Sequence, residues 1–361
     1  MTRDQGPLGA VHAHSRLVAA RARAQALAGG VRERTAADVV RRVFAIQAQD
    51  AAAAELGIRV RAPGIAADHV RAAYEADRSI ATGWFMRGTL HTVPAEDLRW
   101  LLALFGPRND AANARRYREL DLDEAARDRA TRTIRKALAT HGPLSRPELT
   151  RHLAAIGVDP SGQAPFHLIR HAALNGVVCH GPRRAGEATF VLLDDWVPED
   201  AAGPAGEAAV AELARRYARA HGPADAEDFA HWSGLPLPLS RRAWAAAVPR
   251  PAAKPDAKPA DEPDTAAGDE PPDVRLLPAY DNYLLAYRDR APVVPAAHEH
   301  IVRPGGGVIR PVVLADGTAI GSWGRRSAAV RADPFEPWPP SLDPAVSEEI
   351  ADVSRYLSES A

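Results

Sequence analysis

The chain is short of several residues that carry chemistry. It has one cysteine, Cys179, and only three lysines, Lys136, Lys254 and Lys258, in 361 residues. A lone cysteine excludes an intrachain disulfide and any thiolate zinc cluster. No apolar run is long enough to span a membrane, and the basic N-terminus lacks an apolar core of signal-peptide length. The cytoplasm is therefore the expected address. Neither sign of charge dominates: the formal net charge is -1 and the pI about 6.9. Composition alone therefore gives no argument for nucleic acid. The distribution says slightly more, because Pro249 to Asp273 carries seven acids against three basic residues. The remainder of the chain is correspondingly mildly basic. Arginine supplies 42 of the 45 basic residues. In so alanine-rich a chain this fits a GC-rich genome, and arginine abundance is weak evidence for DNA contact.

What is present suits an ordinary soluble protein, with 46% apolar and 25% charged residues and a length for two or three compact units. The stretch Val43-Phe44-Ala45-Ile46-Gln47-Ala48-Gln49-Asp50 stands out. Val39, Val40, Val43 and Ile46 have helical spacing, which predicts a helix over Ala36 to Ala45 with Thr35 as its cap. It runs into two glutamines flanking an alanine. In extended chain, residues i and i+2 point to the same side, so the two amides could hold one water without any charge. The plain alternative is a polar helix end in solvent.

Along the chain, Arg16 to Ala28 reads as a helix stopped by Gly29-Gly30, and Asp68 to Ala76 as a shorter one. Ser79 to Phe85 and Thr89 to Val93 read as strands around Arg87-Gly88, and Leu98 to Phe105 opens another helix. Helices followed by a hairpin are the outline of a winged helix. Thr140-His141-Gly142-Pro143 and Ala220-His221-Gly222-Pro223 then form an internal repeat, each followed by two helical patterns. After the first come Leu149 to Ile156 and Pro165 to Asn175, then strands Val177 to His180 and Thr189 to Leu193 with Arg183-Arg184 in the turn. After the second come Ala226 to Ser233 and Ser240 to Ala247. Pro249 to Asp273 follows, with seven prolines and no aromatic, and is expected to be a flexible insertion. Val308 to Leu314 and Thr318 to Trp323 flank the hairpin signal Asp316-Gly317, and Pro344 to Leu357 is a final helix. The expectation is an α+β chain of three related units, 1–110, 111–200 and 201–361.

Four passages, in order, resemble one family: the tandem winged-helix DNA glycosylases typified by AlkZ and YcaQ. They are Ile46 to Gln49, Met86-Arg87-Gly88-Thr89-Leu90-His91, Leu276 to Arg290, and Arg310 to Leu314 with Asp316-Gly317 and Gly321-Ser322-Trp323. The resemblance implies three winged-helix units forming a C-shaped clamp on double-stranded DNA, acting on bulky alkyl adducts and interstrand crosslinks. It makes Gln47 and Gln49 the catalytic pair, with Ala48 in the small central place. Gln49 sets the chain nearer AlkZ than YcaQ-like relatives, which look to have aspartate there. Asp281-Asn282 departs from a usual Asp-Pro, and Ala286 stands where glycine is common.

The chemistry fits these residue types. Alkylation at guanine N7 makes the base cationic, so it departs without a strong general acid. What remains is to deliver water to C1′ and stabilise an oxocarbenium-like sugar, which two neutral amides can do. Asp50 is an alternative water ligand. For DNA contact the candidates are Arg87, His91, Arg183, Arg184, Arg288, Arg290, Arg310 and Arg325. His167 and His171, four apart on a helix, lack an evident third ligand, and His298 and His300 are expected on a solvated strand edge. Tyr280 and Trp323 are expected in the core. No metal or cofactor is expected. Three units in one chain suit a monomer, whereas the competing reading, a non-catalytic winged-helix regulator or drug-sequestering protein, usually reads palindromes as a dimer.

Overall fold

The structure is a computed structural model, and it describes residues 7–29, 32–184, 186–197, 203–248, 272–326 and 329–360. Helices alternate with three small antiparallel sheets, an α+β arrangement. In the first sheet β1 (Ile46–Gln47), β2 (Ile80–Trp84) and β3 (Leu90–Pro94) lie in the order β1-β3-β2. In the second, β4 (Leu144–Ser145), β5 (Val178–His180) and β6 (Thr189–Leu192) lie in the order β4-β6-β5. The third contains β7 (Val274–Leu277), β8 (Val312–Ala315), β9 (Thr318–Arg326) and β10 (Ala329–Pro334), in the order β10-β9-β8-β7.

Most expected helices are present within a residue or three of their predicted bounds, including Ala67–Glu75, Ala164–Leu174, Ala226–Ser233 and Asp343–Glu359. Several expectations need correction. The first helix is Pro7–Ala24 rather than Arg16 to Ala28 and ends before Gly29, and the strand expected over Val308 to Leu314 is Val312–Ala315. The helix before the glutamines is Ala36–Val43, two residues shorter than its apolar spacing suggests. Val39, Val40 and Val43 are fully buried and satisfy that pattern, each contributing about 1.5–3 kcal/mol. Ile46 keeps the spacing but belongs to β1. His298 and His300 lie in short helical turns rather than a strand, and the His298 ring stacks on Phe335 at 4.7 Å. The helix Ala51–Arg59 has no clear apolar periodicity in sequence, because its first four residues are all alanine.

The largest core joins distant parts of the chain. Leu27, Phe44, Leu101, Val191, Tyr217 and Tyr283 belong to one apolar cluster. Helices Leu98–Ala111 and Ala164–Leu174 cross so closely that a Cβ on Gly106 would lie 2.2 Å from the Leu174 carbonyl oxygen. Only glycine permits that crossing. The final helix is tied down by buried charge: Arg59 donates to both Glu349 carboxylate oxygens at 2.6 and 3.1 Å, and also bonds Asp352. Trp323 is in the core, donating its indole N–H to the Leu277 carbonyl at 2.6 Å, whereas Tyr280 is only partly buried. The Pro249 to Asp273 expectation lies outside the described residues except for Pro272 and Asp273. Asp273 bonds Arg32 and accepts the Gly29 N–H at 2.7 Å.

Candidate active site

Gln47 lies in a short edge strand and Gln49 in the bend that follows it, between two helices. Ending the first helix at Val43 leaves Ile46 and Gln47 extended, paired with Thr92 and His91 on β3. The Ala48 N–H donates to the Leu90 carbonyl at 2.8 Å, continuing that pairing by one residue. Asp50 then starts the next helix, its carboxylate accepting the Ala53 N–H at 3.0 Å as an N-cap. That capping bond occupies one Asp50 oxygen, so the carboxylate serves the helix rather than standing free beside Gln49.

The open edge of β1 is closed by a side chain. The Gln47 N–H donates to Asn282 Oδ1 at 3.0 Å, and Asn282 Nδ2 donates to the Ala45 carbonyl. One buried amide thus supplies the acceptor and donor that a neighbouring strand would offer. Asn282 is held in turn by its neighbour. Asp281 takes two 2.8 Å bonds from Arg61, and Arg61 donates also to Gly57, to the Gln25 carbonyl and to the Gln25 side chain. Arg61 and Asp281 are both buried, so this pair has little freedom to move.

The side chains of the pair meet different partners. Gln47 Oε1 accepts from Arg87 Nη2 at 3.2 Å, while Gln49 Oε1 accepts the Leu90 N–H at 3.2 Å. Both oxygens are thus oriented, and among the described residues neither amide nitrogen has a protein partner. Arg87 also donates to the Trp232 carbonyl, joining the helix Ala226–Ser233 to the glutamine strand. Gly234 ends that helix at φ +72°, and a Cβ there would meet Arg87 Cγ at 3.1 Å. Its lack of a side chain lets the two segments approach.

The other expected contacts divide. Arg290 Nη2 lies 3.4 Å from His231 Nε2, and the Arg288 N–H donates to Asp228 at 2.9 Å. Burial first, then the charges of Arg290, Arg87 and Arg288, hold His231 below the usual histidine range. His231 thus sits beside Arg290, with the charges of Arg87 and Arg288 acting on it against that of Asp228. Arg183 approaches from the turn between β5 and β6, 3.6 Å from Glu55. Together with Gln49 it lines a cavity of about 770 Å³. Arg184 points elsewhere, to Glu148, and Arg310 and Arg325 are exposed without contact to the glutamine strand among the described residues. His91 needs correction. It is 1% exposed, and burial with the nearby Arg87 charge lowers its pKa to about 3, so it is a neutral core group with no surface for DNA. His171 bonds Asp110 at 2.9 Å, and His167 packs edge-on to Tyr117.

The sequence profile of the family described as DNA glycosylase AlkZ-like matches residues 40–356. The chain belongs to this AlkZ-like DNA glycosylase family. Hydrolysis of N-glycosidic bonds in DNA is the activity that membership implies. The matched span contains the glutamine strand, Arg87, Asn282 and every other expected contact. The chain is similar to the interstrand DNA cross-link repair glycosylase of Streptomyces sahachiroi, at 27% identity over 345 residues, covering 89% of this chain and 90% of that one. It is also similar in structure to the Streptomyces sahachiroi DNA glycosylase AlkZ, with a TM-score of 0.74 and 27% identity over 95% of this chain and 96% of that one. The departure at Asn282 is where sequence reasoning came nearest to the strand clamp. Its role depends on a contact 235 positions away.

Proposed function

We propose that this AlkZ-like protein is a monofunctional glycosylase that excises bulky N7-alkylguanine adducts and unhooks interstrand crosslinks. The observation that carries this reading is the hydrogen-bonded Gln47-Ala48-Gln49 segment, with Asn282 on the edge of its strand and Arg87 joining Gln47 to a distant helix. Each glutamine carbonyl has a second lone pair beyond the bond it accepts, and each has a free NH₂. The pair can therefore position one water and offer partial negative charge to the sugar cation at C1′. A cationic base departs without a protonated acid nearby, which suits a site whose two central groups are neutral.

In this reading the three sheets with their helices act as three winged-helix units, 1–110, 111–200 and 201–361, gripping duplex DNA as a monomeric C-shaped clamp. Arg183, which shares a cavity lining with Gln49, meets DNA beside the glutamines, and Arg184, Arg288, Arg290, Arg310 and Arg325 meet phosphates elsewhere on the duplex. Arg87 orients Gln47 as well as facing DNA. No amine serves as a Schiff-base nucleophile: Lys136 is exposed on the helix Glu124–His141, and Lys254 and Lys258 lie outside the described residues. The deciding experiment is release of free base from duplex DNA carrying one N7-alkylguanine. Base release with an intact abasic strand is expected. Tight DNA binding without release from any N7-alkylated duplex would leave the regulator reading standing.

A further inference from the structure

The two glutamine carbonyls are engaged by donors of different charge. A guanidinium and a backbone N–H carry donors only, so each glutamine must turn its oxygen to that partner and its NH₂ away from it. Gln47 Oε1 accepts from the Arg87 guanidinium at 3.2 Å, whereas Gln49 Oε1 accepts from the uncharged Leu90 N–H at 3.2 Å. Arg87 is held in place by its second bond, to the Trp232 carbonyl. Among the described residues no carboxylate neutralises it, and the charge acting on it most strongly is that of Arg290. Its positive charge therefore falls on the Gln47 carbonyl.

A cation bonded to an amide oxygen polarises the whole amide. The oxygen becomes a poorer acceptor for a second bond, and the NH₂ becomes a stronger donor. Positive charge growing on the sugar is also repelled from an oxygen that already carries a guanidinium. Gln49 suffers neither effect, and it is exposed where Gln47 is half buried.

We infer that the two amides hold the water with a fixed polarity: Gln47 Nε2–H donates to the water oxygen, while Gln49 Oε1 accepts a water proton and faces the sugar cation. Arg87 is the positioning residue that sets this polarity, acting through Gln47. The inference rests on the glycosylase reading and gives each amide its direction. As the C1′–N9 bond breaks, its electron pair neutralises the cationic base. The water oxygen bonds C1′, and the proton turned toward Gln49 leaves to bulk water.

The test measures single-turnover excision of one N7-alkylguanine at saturating duplex, using full-length protein. Glutamate at position 47 has no donor for the water, whereas glutamate at position 49 still accepts. Gln49→Glu is therefore expected to excise faster than Gln47→Glu by about tenfold or more. Equal rates, or the reverse order, overturn the polarity. Arg87→Met should lower the saturated rate by about fivefold in wild type but hardly at all in a Gln47→Ala background. An equal loss in both backgrounds overturns the role of Arg87. A binding measurement stands apart from turnover: duplexes carrying a cationic pyrrolidine abasic analogue are compared with those carrying uncharged tetrahydrofuran. Preference for the cation should be lost in Gln49→Ala and kept in Gln47→Ala. If wild type releases no base, the glycosylase reading fails on its own and this preference decides the polarity. Loss in Gln49→Ala alone supports it; equal loss in both variants, or no preference in wild type, overturns it.

Discussion

At the residue scale, Gln47 and Gln49 do different work despite their matched chemistry. Gln47 is half buried and tied to Arg87, whereas Gln49 is exposed and braced by the Leu90 N–H. If both hold the attacking water, Gln47→Ala and Gln49→Ala each slow base release by more than tenfold, about 1.4 kcal/mol of barrier. Filter binding to the same duplex should change little. The double variant should lose less than the product of the singles, since one water is shared. Asn282→Ala removes the strand-edge partner without touching either amide. Its excision rate should fall several-fold at saturating DNA, with affinity retained; a rate equal to wild type would show that β1 holds its place without the clamp.

At the element scale, two local devices fix the helix that follows the motif. Asp50 caps its start and Arg59 anchors its end to Glu349 and Asp352 on the final helix. Asp50→Ala should lower stability by about 1 kcal/mol, while Asp50→Asn, which can still cap, should be nearly neutral. Excision should survive both. Loss of turnover in Asp50→Asn alone would transfer the water to a carboxylate. Arg59→Ala leaves Glu349 buried without its main partner, although the carboxylate still accepts the Leu276 N–H at 3.1 Å. Urea unfolding should show a loss of about 3–5 kcal/mol. A change below 1 kcal/mol would mean that the final helix is held by its apolar face alone.

For the whole molecule, burial keeps two interior histidines neutral, which makes stability depend on pH. His91 and His221 are buried, and burial lowers each pKa to about 3. The unfolded chain binds these protons near the ordinary histidine value of about 6.5. Between those values the unfolded state holds more protons, so stability is full above about pH 6.5 and falls as pH drops toward 3. Each histidine contributes a slope of up to about 1.4 kcal/mol per pH unit in that window. Urea midpoints at pH 7.5 and 5.0 should differ accordingly, and His221→Phe should flatten the slope by one histidine's share. An identical slope in that variant would mean His221 titrates normally when folded.

Sequence periodicity and punctuation determined most helices and hairpins, because those depend on contacts within a few residues. Val39, Val40 and Val43 repeat at helical spacing, Asp316-Gly317 turns a hairpin, and Ala226–Ser233 is bounded by Asp225 and Gly234. The same local signals overran at Ile46, whose apolar spacing fits a helix although it lies in β1. What stops the helix two residues earlier is pairing with β3, a choice made by distant chain. Tertiary structure alone decided the site: Asn282 on the strand edge, Arg87 between Gln47 and Trp232, and His231 beside Arg290. It also removed His91 from the surface, since residue type cannot say which face of a strand is buried when both neighbours are half-apolar. Local order is written in spacing; the placing of polar groups opposite one another depends on which segments share a core, and that is settled only when the whole chain packs.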